Sequence, residues 1–456
     1  MAAQKTSLRG CISKALVWFR RDLRLTDNPA WNSATALHDE VTALFVFDQR
    51  LWRSAGPHRG PQLAANVRAL DADLARLGGR LLVRHGSPTQ VVPREARRVD
   101  AVYWNADVSP YSTMRDTRVS ASIAAAPFVS WGTLAHPPGA VITEAGAGYK
   151  VFTPFYKRWR AISWDPWPAP GQAVIGADPG DGIPETADPI VAPGELGALQ
   201  RLDDLQEVVD DYHELRDRPD LDATSRLSID LKFGTISPRL LLGEVGDDGE
   251  GRQAFTRQLV WRDFYAHLLL GEPRLTKEEM QPAYRSMKWI EDTEGLEAWK
   301  QGRTGYPLVD AGMRQLATEG YMHNRVRMIA ASFLVKDLLI DWRYGERHFR
   351  QLLLDGDISQ NVGNWQWVAG TGADAAPYFR VFNPVTQSLK FDPAGDYIRR
   401  WVPELAQVSS PAVHAPWKAG PEALPGLELR RDYPLPIVEH AQARLRALDA
   451  YKAARG

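Results

Sequence analysis

Apolar positions fall into two different rhythms along the 456 residues. In the first quarter, short apolar runs recur: KALVWF at 14–19, VTALFVFD at 41–48, RLLVRHG at 80–86 and DAVYWN at 100–105. Their length and their bounding polar residues predict buried strands. Between the second and third runs, Leu63, Val67, Leu70, Leu74 and Leu77 recur at spacings of three and four. That period predicts a helix, which Gly78 and Gly79 end. Strand–helix–strand alternation predicts an α/β domain over 14–140, with a Rossmann-like parallel sheet covered on both faces. Such sheets take ligands at the carboxyl ends of their strands. Asp48 and Asp107 fall at or just beyond two such ends. Solvated loop acids would give the same pattern.

The rhythm then changes. From Trp164 to about Leu199, Pro and Gly recur and no period survives. This predicts a long linker, placed at 141–199. From residue 200 the pattern is helical: VWRDFYAHLLL, NRVRMIAASFLVKDLL and GERHFRQLLLD predict an all-α domain over 200–456, without internal repeats.

Composition changes this picture in few places. The 44% hydrophobic and 24% charged fractions are ordinary, but sixteen Trp is high. A net charge of -1 means that nucleic-acid binding would need a local basic patch. The single Cys, Cys11, excludes a disulfide framework and argues against a cysteine-ligated metal. No apolar run approaches the ~18 residues of a membrane span. No apolar signal segment follows MAAQKTSLRG, and a cytoplasmic monomer is expected.

Four stretches carry candidate chemistry. Thr224, Ser225 and Ser228 cluster hydroxyls at a helix-start position, which suits either an N-cap or a phosphate. Gln258, Trp261, Arg262 and Tyr265 share one helical face, suited to a flat polar ring or to packing on neighbours. Asn324, Arg327, Met328 and Ala331 share another, where Arg327 could meet a ring carbonyl or an acid. In DGDISQNVGNWQWVAGTGAD, at 355–374, Asp355, Asp357, Asn361, Trp365 and Trp367 crowd together. None of these stretches offers a convincing nucleophile or metal set, so a cofactor is expected to carry any chemistry.

Taken together, LVWFRRDLRLTDNPAW, TSRLS, LKFGTISPR, WRDFY, GRTGYPLVDAGMRQL, MHNRVRM, DGDISQNVGNWQW and APYFRVFNP resemble the DNA photolyase/cryptochrome family. The similarity runs from about residue 14 to 452, and is strongest to bacterial class I cyclobutane pyrimidine dimer photolyases. The resemblance implies an antenna domain, a linker and a helical domain holding FAD. Tyr212, Thr224, Ser225, Arg226, Leu227, Ser228 and Phe255 would contact it, while Arg327, Asp355, Gly356 and Asp357 address the ring. Asn361 would face flavin N5, where a neutral amide suits the reduced anionic form. Trp365, Trp342 and Trp289 match an electron-transfer triad. Gln258, Trp261, Asn324, Met328 and Trp367 would line a pocket for a flipped lesion. Arg216, Arg262, Arg325, Arg380 and Lys390 would hold phosphates of UV-damaged DNA. The implied reaction is a light-driven electron loan from reduced FAD to the dimer: the ring splits, and the electron returns.

Three features qualify the resemblance. Gln258 stands where dimer photolyases carry Glu, and Phe255 and Tyr321 replace Trp. Asn324 and Met328 are not the His pair of (6-4) enzymes, so dimer repair is expected. Asp48, Asp107 and Lys232 resemble the antenna site for 8-hydroxy-5-deazaflavin, with methenyltetrahydrofolate, a flavin or no chromophore as alternatives. A blue-light receptor would use the same flavin and Trp chain. The chain ends at YKAARG, without a long tail, which favours repair over signalling.

Overall fold

The computed structural model describes residues 12–377 and 379–455, so Cys11 and the stretch before it lie outside the described residues. Strands β1 (Lys14–Phe19), β2 (Glu40–Asp48), β3 (Leu81–Gly86), β4 (Ala101–Asn105), β5 (Ala126–Ser130) and β6 (Val174–Ile175) form one parallel sheet. The spatial order is β3-β2-β1-β4-β5, with β6 against β2. In β1, Val17 pairs with Ala43 of β2 and Tyr103 of β4. Alternate residues point to opposite faces. Val17, Ala43 and Val83 pack in one core, while Leu16, Leu44, Leu82 and Val102 pack in another. Burial on both faces is why these strands read as continuous apolar runs. The chain moves from β1 outward to β3, then returns to the far side with β4. The switch point therefore lies between the carboxyl ends of β1 and β4.

Ten helices position the site: α1 (Gly56–Arg76), α2 (Pro110–Ser122), α3 (Phe152–Arg160), α4 (Gly194–Gln206), α5 (Ser228–Phe233), α6 (Glu250–Gly271), α7 (Asn324–Ser332), α8 (Trp342–Leu352), α9 (Ile358–Ala369) and α10 (His440–Arg455). From Gly194 onward every named element is helical. One large core runs through this region and includes Phe264, Val326, Trp342 and Trp365.

The stretch expected to be a featureless linker, 141–199, is corrected on three counts. It contains α3, whose Phe152, Phe155 and Trp159 are buried in the helical domain's core. It contains β6, whose Ile175 joins the sheet-side core. Its end falls inside α4, where Ala198, Leu202 and Leu205 are buried at helical spacing. The frequent Pro and Gly conceal short elements whose apolar partners lie far away in sequence.

Candidate active site

The acidic loop before α9 is built by capping. Asp357 is the α9 N-cap, and its Oδ1 accepts the backbone N–H groups of Ser359 at 2.8 Å and Gln360 at 3.1 Å. Its Oδ2 accepts a hydrogen bond from Arg21. Asp355 accepts from Arg327 through both guanidinium ends, at 3.1 and 2.9 Å, and from Ser228 Oγ at 2.7 Å. Both buried carboxylates are thus fully engaged.

A pocket of about 510 Å³ opens beside this loop, lined by Asn324, Arg327, Asp355, Asp357, Asn361 and Trp365 among others. The Asn361 amide donates to the backbone oxygen and Oε1 of Glu346, each at 2.9 Å. These bonds fix the amide and leave its oxygen as the remaining acceptor. Trp365 is buried against Phe349, with ring centroids 5.0 Å apart. It lies so close to α8 that a Cβ on Gly345 would come within 2.1 Å of the indole. Trp367, two positions along α9, is half-buried and outside this pocket wall. Trp342 is wholly buried and donates its indole N–H to Glu279 Oε1 at 3.1 Å. Trp289 is half-buried, edge-on to Tyr451 at 6.4 Å. A guanidinium, carboxylates, an amide and an indole on one pocket suit a flat ring with carbonyl and N–H edges, and so fit a flavin.

The hydroxyl cluster is not an N-cap. None of its side chains caps α5, and the turn before the helix places Arg226 at φ 54. Thr224 Oγ1 lies 3.0 Å from the Tyr321 hydroxyl, while Ser228 reaches Asp355. Tyr212 stands edge-on to Phe255 at 5.5 Å, and burial pushes its hydroxyl up to about 12. The hydroxyl-rich turn and the acidic loop, read separately from sequence, therefore meet.

On the second face, Trp261 is half-exposed and stacked flush on Phe152 of α3, at 3.6 Å and 2°. Gln258 turns its amide back onto Ala254 O at 3.0 Å. Asn324 is exposed and Met328 half-buried, their side chains 3.8 Å apart. Among the expected phosphate holders, Arg380 and Lys390 are exposed and Arg216 is half-buried. Arg325 is tied to Asp217 at 2.7 Å and lies over the Phe391 ring. Arg262 is a correction. Its guanidinium donates to Thr133 O at 2.5 Å and Leu231 O at 3.2 Å, so it joins three segments internally and does not face DNA. The sequence reading missed Phe152, the exposed Arg257 over its ring, and the exposed Lys157 and Arg158 of the same helix α3. The apolar spacing of FTPFYKRWR carried the only signal.

The expected antenna residues make the following contacts. Asp48 accepts from the Tyr111 hydroxyl. Asp107 accepts from Ser112 Oγ at 2.8 Å and is ion-paired with Arg21 at 3.1 Å. Lys232 belongs to the cluster around Arg21 and Asp357. Burial, reinforced by Arg21, brings its ammonium down to about 7. Asp107 and Lys232 thus gather at Arg21, while Asp48 meets the Tyr111 hydroxyl, one residue before the Ser112 that binds Asp107.

Comparison with known proteins agrees with this geometry. Residues 15–171 match the DNA photolyase family and residues 255–453 the FAD binding domain of DNA photolyase. A deoxyribodipyrimidine photo-lyase of Halobacterium salinarum is 41% identical, across 97% of this chain and 99% of that protein. Among solved structures, a bacterial class III photolyase from Agrobacterium tumefaciens superposes with a TM-score of 0.88 at 38% identity, covering 99% of this chain and 100% of its own. An archaeal photolyase from Sulfolobus tokodaii, solved with two FAD molecules, gives 0.86 at 34%, covering 96% and 100%. Similarity therefore reaches beyond the class I enzymes suggested by the motifs. The chain belongs to the DNA photolyase family.

Proposed function

We propose that this chain is a light-dependent deoxyribodipyrimidine photo-lyase that splits cyclobutane pyrimidine dimers in DNA. One observation carries the reading beyond family likeness. Every carboxylate on the pocket is already held, Asp355 by Arg327 and Ser228, Asp357 by Arg21 and the start of α9. No free acid–base pair remains for hydrolysis, so the pocket binds and orients the group that reacts. Held beside Arg327, Asp355 and Asn361, reduced FAD would supply light-driven electron transfer to the dimer, with no net redox change.

The protein's part is positioning and supply. Arg327 and Asp355 present a charge-assisted edge to the ring, and Asn361 offers an amide whose rotamer Glu346 fixes. Trp261, backed on one face by Phe152, offers a braced ring against which a flipped base can stack, and Gln258, on the same helix, supplies an amide N–H. Exposed Arg380 and Lys390, with half-buried Arg216, are the remaining phosphate-holding candidates. Trp365, Trp342 and Trp289 share or border one core and form the route by which oxidised flavin would be re-reduced. No described helix is long and apolar enough to cross a membrane, and the enzyme would act as a cytoplasmic monomer.

A second chromophore is a separate matter. Deazaflavin remains the favoured antenna, with Asp107 and Lys232 beside Arg21 and Asp48 beside Tyr111. Mass spectrometry of chromophores released from purified protein distinguishes deazaflavin, folate, flavin and none.

The deciding experiment gives the reduced, FAD-loaded protein DNA with either dimer or (6-4) lesions, in blue light and in darkness. Loss of dimers only in light is expected. Repair of neither lesion, with photoreduction intact, would favour a blue-light receptor instead. Trp342→Phe should slow photoreduction of oxidised FAD and leave repair by pre-reduced enzyme unchanged. Unslowed photoreduction would mean that electrons take another route.

A further inference from the structure

The crevice at the sheet's switch point is where an open parallel sheet would ordinarily receive a ligand. Here the ends of β1 and β4, which flank it, contribute an ion pair. Arg21 lies two residues past the end of β1, and Asp107 two residues past the end of β4. The Arg21 backbone is packed so tightly on the end of α5 that a Cβ on Gly234 would come within 2.0 Å of Arg21 O. Every arm of the guanidinium is used. Nε donates to Lys232 O at 3.2 Å, Nη1 to Asp107 at 3.1 Å, and Nη2 to Asp357. A single side chain of the α/β domain thus reaches the carboxylate that lines the flavin pocket.

The surrounding charges make this more than a strut. Asp357 faces Arg21, Lys232 and Arg262, while Lys232 also feels Arg59 and Asp107. Burial alone would raise the Asp357 carboxyl; Arg21 and Lys232 outweigh it and hold the group well below the usual carboxylate range. Asp107 is held low in the same way, mainly by Arg21. Buried charges are weakly screened, so removing one changes the field at the pocket more than a surface charge would.

We propose that Arg21, held by Asp107, is a positioning residue through which the α/β domain sets the charge beside the flavin ring, and hence its reduction potential. This rests on the flavin reading above. Reduction adds negative charge to the ring. A cation nearby favours it, and an unpaired carboxylate opposes it. Arg21→Gln leaves Asp357 without its nearest cation. Asp107→Asn leaves Arg21 with one carboxylate instead of two, and is nearly isosteric.

The test is spectroelectrochemical titration of FAD bound to the full chain. Arg21→Gln should move the midpoint potential to more negative values and Asp107→Asn to more positive ones, with Arg21→Lys close to wild type. A purely structural Arg21 would lower the melting temperature without these opposite shifts. If Arg21→Gln does not fold, Asp107→Asn decides alone. Equal potentials in variants that bind FAD would overturn this proposal and leave the flavin reading standing. A wild-type chain that takes up no FAD would overturn both.

Discussion

At the scale of single residues, Asp355 is bound by Arg327 and Asp357 by Arg21. Asp357 read as one of two acids in a loop, yet its oxygens divide between capping α9 and binding an arginine more than three hundred positions away. The family resemblance implied that Arg262 holds a phosphate, and its helix face by itself suggested a flat ring or packing on neighbours. Its true partners are the carbonyls of Thr133 and Leu231, which only the folded chain brings together. Gln258 shows the converse. Its departure from the expected Glu was visible in sequence, and its amide now rests on Ala254 O, so it can turn outward at the cost of a single bond within its own helix. A carboxylic acid there could pass a proton to a carbonyl that gains charge, which an amide cannot do. Gln258→Glu is therefore expected to raise the quantum yield of dimer repair, with little change in FAD content. An unchanged yield, read by dimer loss per absorbed photon, would mean that this position does not limit the reaction.

Elements were legible where their apolar period was long and their partners close. The strands at 14–19, 41–48, 80–86 and 100–105 fall within a residue of β1–β4, and Leu63 to Leu74 lie along α1, with Leu77 as its exposed C-cap. β5 escaped notice because Pro127 interrupts its short apolar run and, as an edge strand, it is largely exposed. α3 escaped because its nine residues sit among Pro and Gly and bury their face against α6, far along the chain. That helix has a functional consequence. Phe152 lies flat on Trp261, so the platform's orientation depends on an element outside the helical domain's own sequence. Phe152→Leu keeps an apolar side chain and removes the ring. Stacked aromatic pairs contribute about 0.5–1.5 kcal/mol beyond their burial, so binding of dimer-containing DNA should weaken by roughly two- to tenfold. The rate of flavin photoreduction should stay the same. Loss of both together would indicate general loosening of the core instead of a tilted platform.

For the whole molecule, buried charges give stability a predictable dependence on pH. Asp357 and Asp107, held low by Arg21, contribute stability throughout the neutral range and lose it only in strong acid. Lys336 acts in the opposite sense. It follows α7 in a π-helical turn, donates to Ala369 O at the end of α9 at 3.2 Å, and lies 3.6 Å over the Tyr451 ring of α10. One ammonium thereby joins three elements. Burial brings it down to about 7, against 10.5 for an ordinary lysine. Between those values the unfolded chain binds more protons than the folded one, so stability rises with pH there, by up to about 1.4 kcal/mol per pH unit from this residue. Lys336→Met fills similar space without a titrating group. Its absolute stability also reflects the lost contacts with Ala369 and Tyr451, so the slope is the informative quantity. Denaturant unfolding at pH 7, 8 and 9 should give a steeper rise for the wild type than for the variant, with Lys232 leaving the variant some residual slope. Parallel curves would show that Lys336 is charged, or neutral, equally in both states, and that its burial is compensated within the fold.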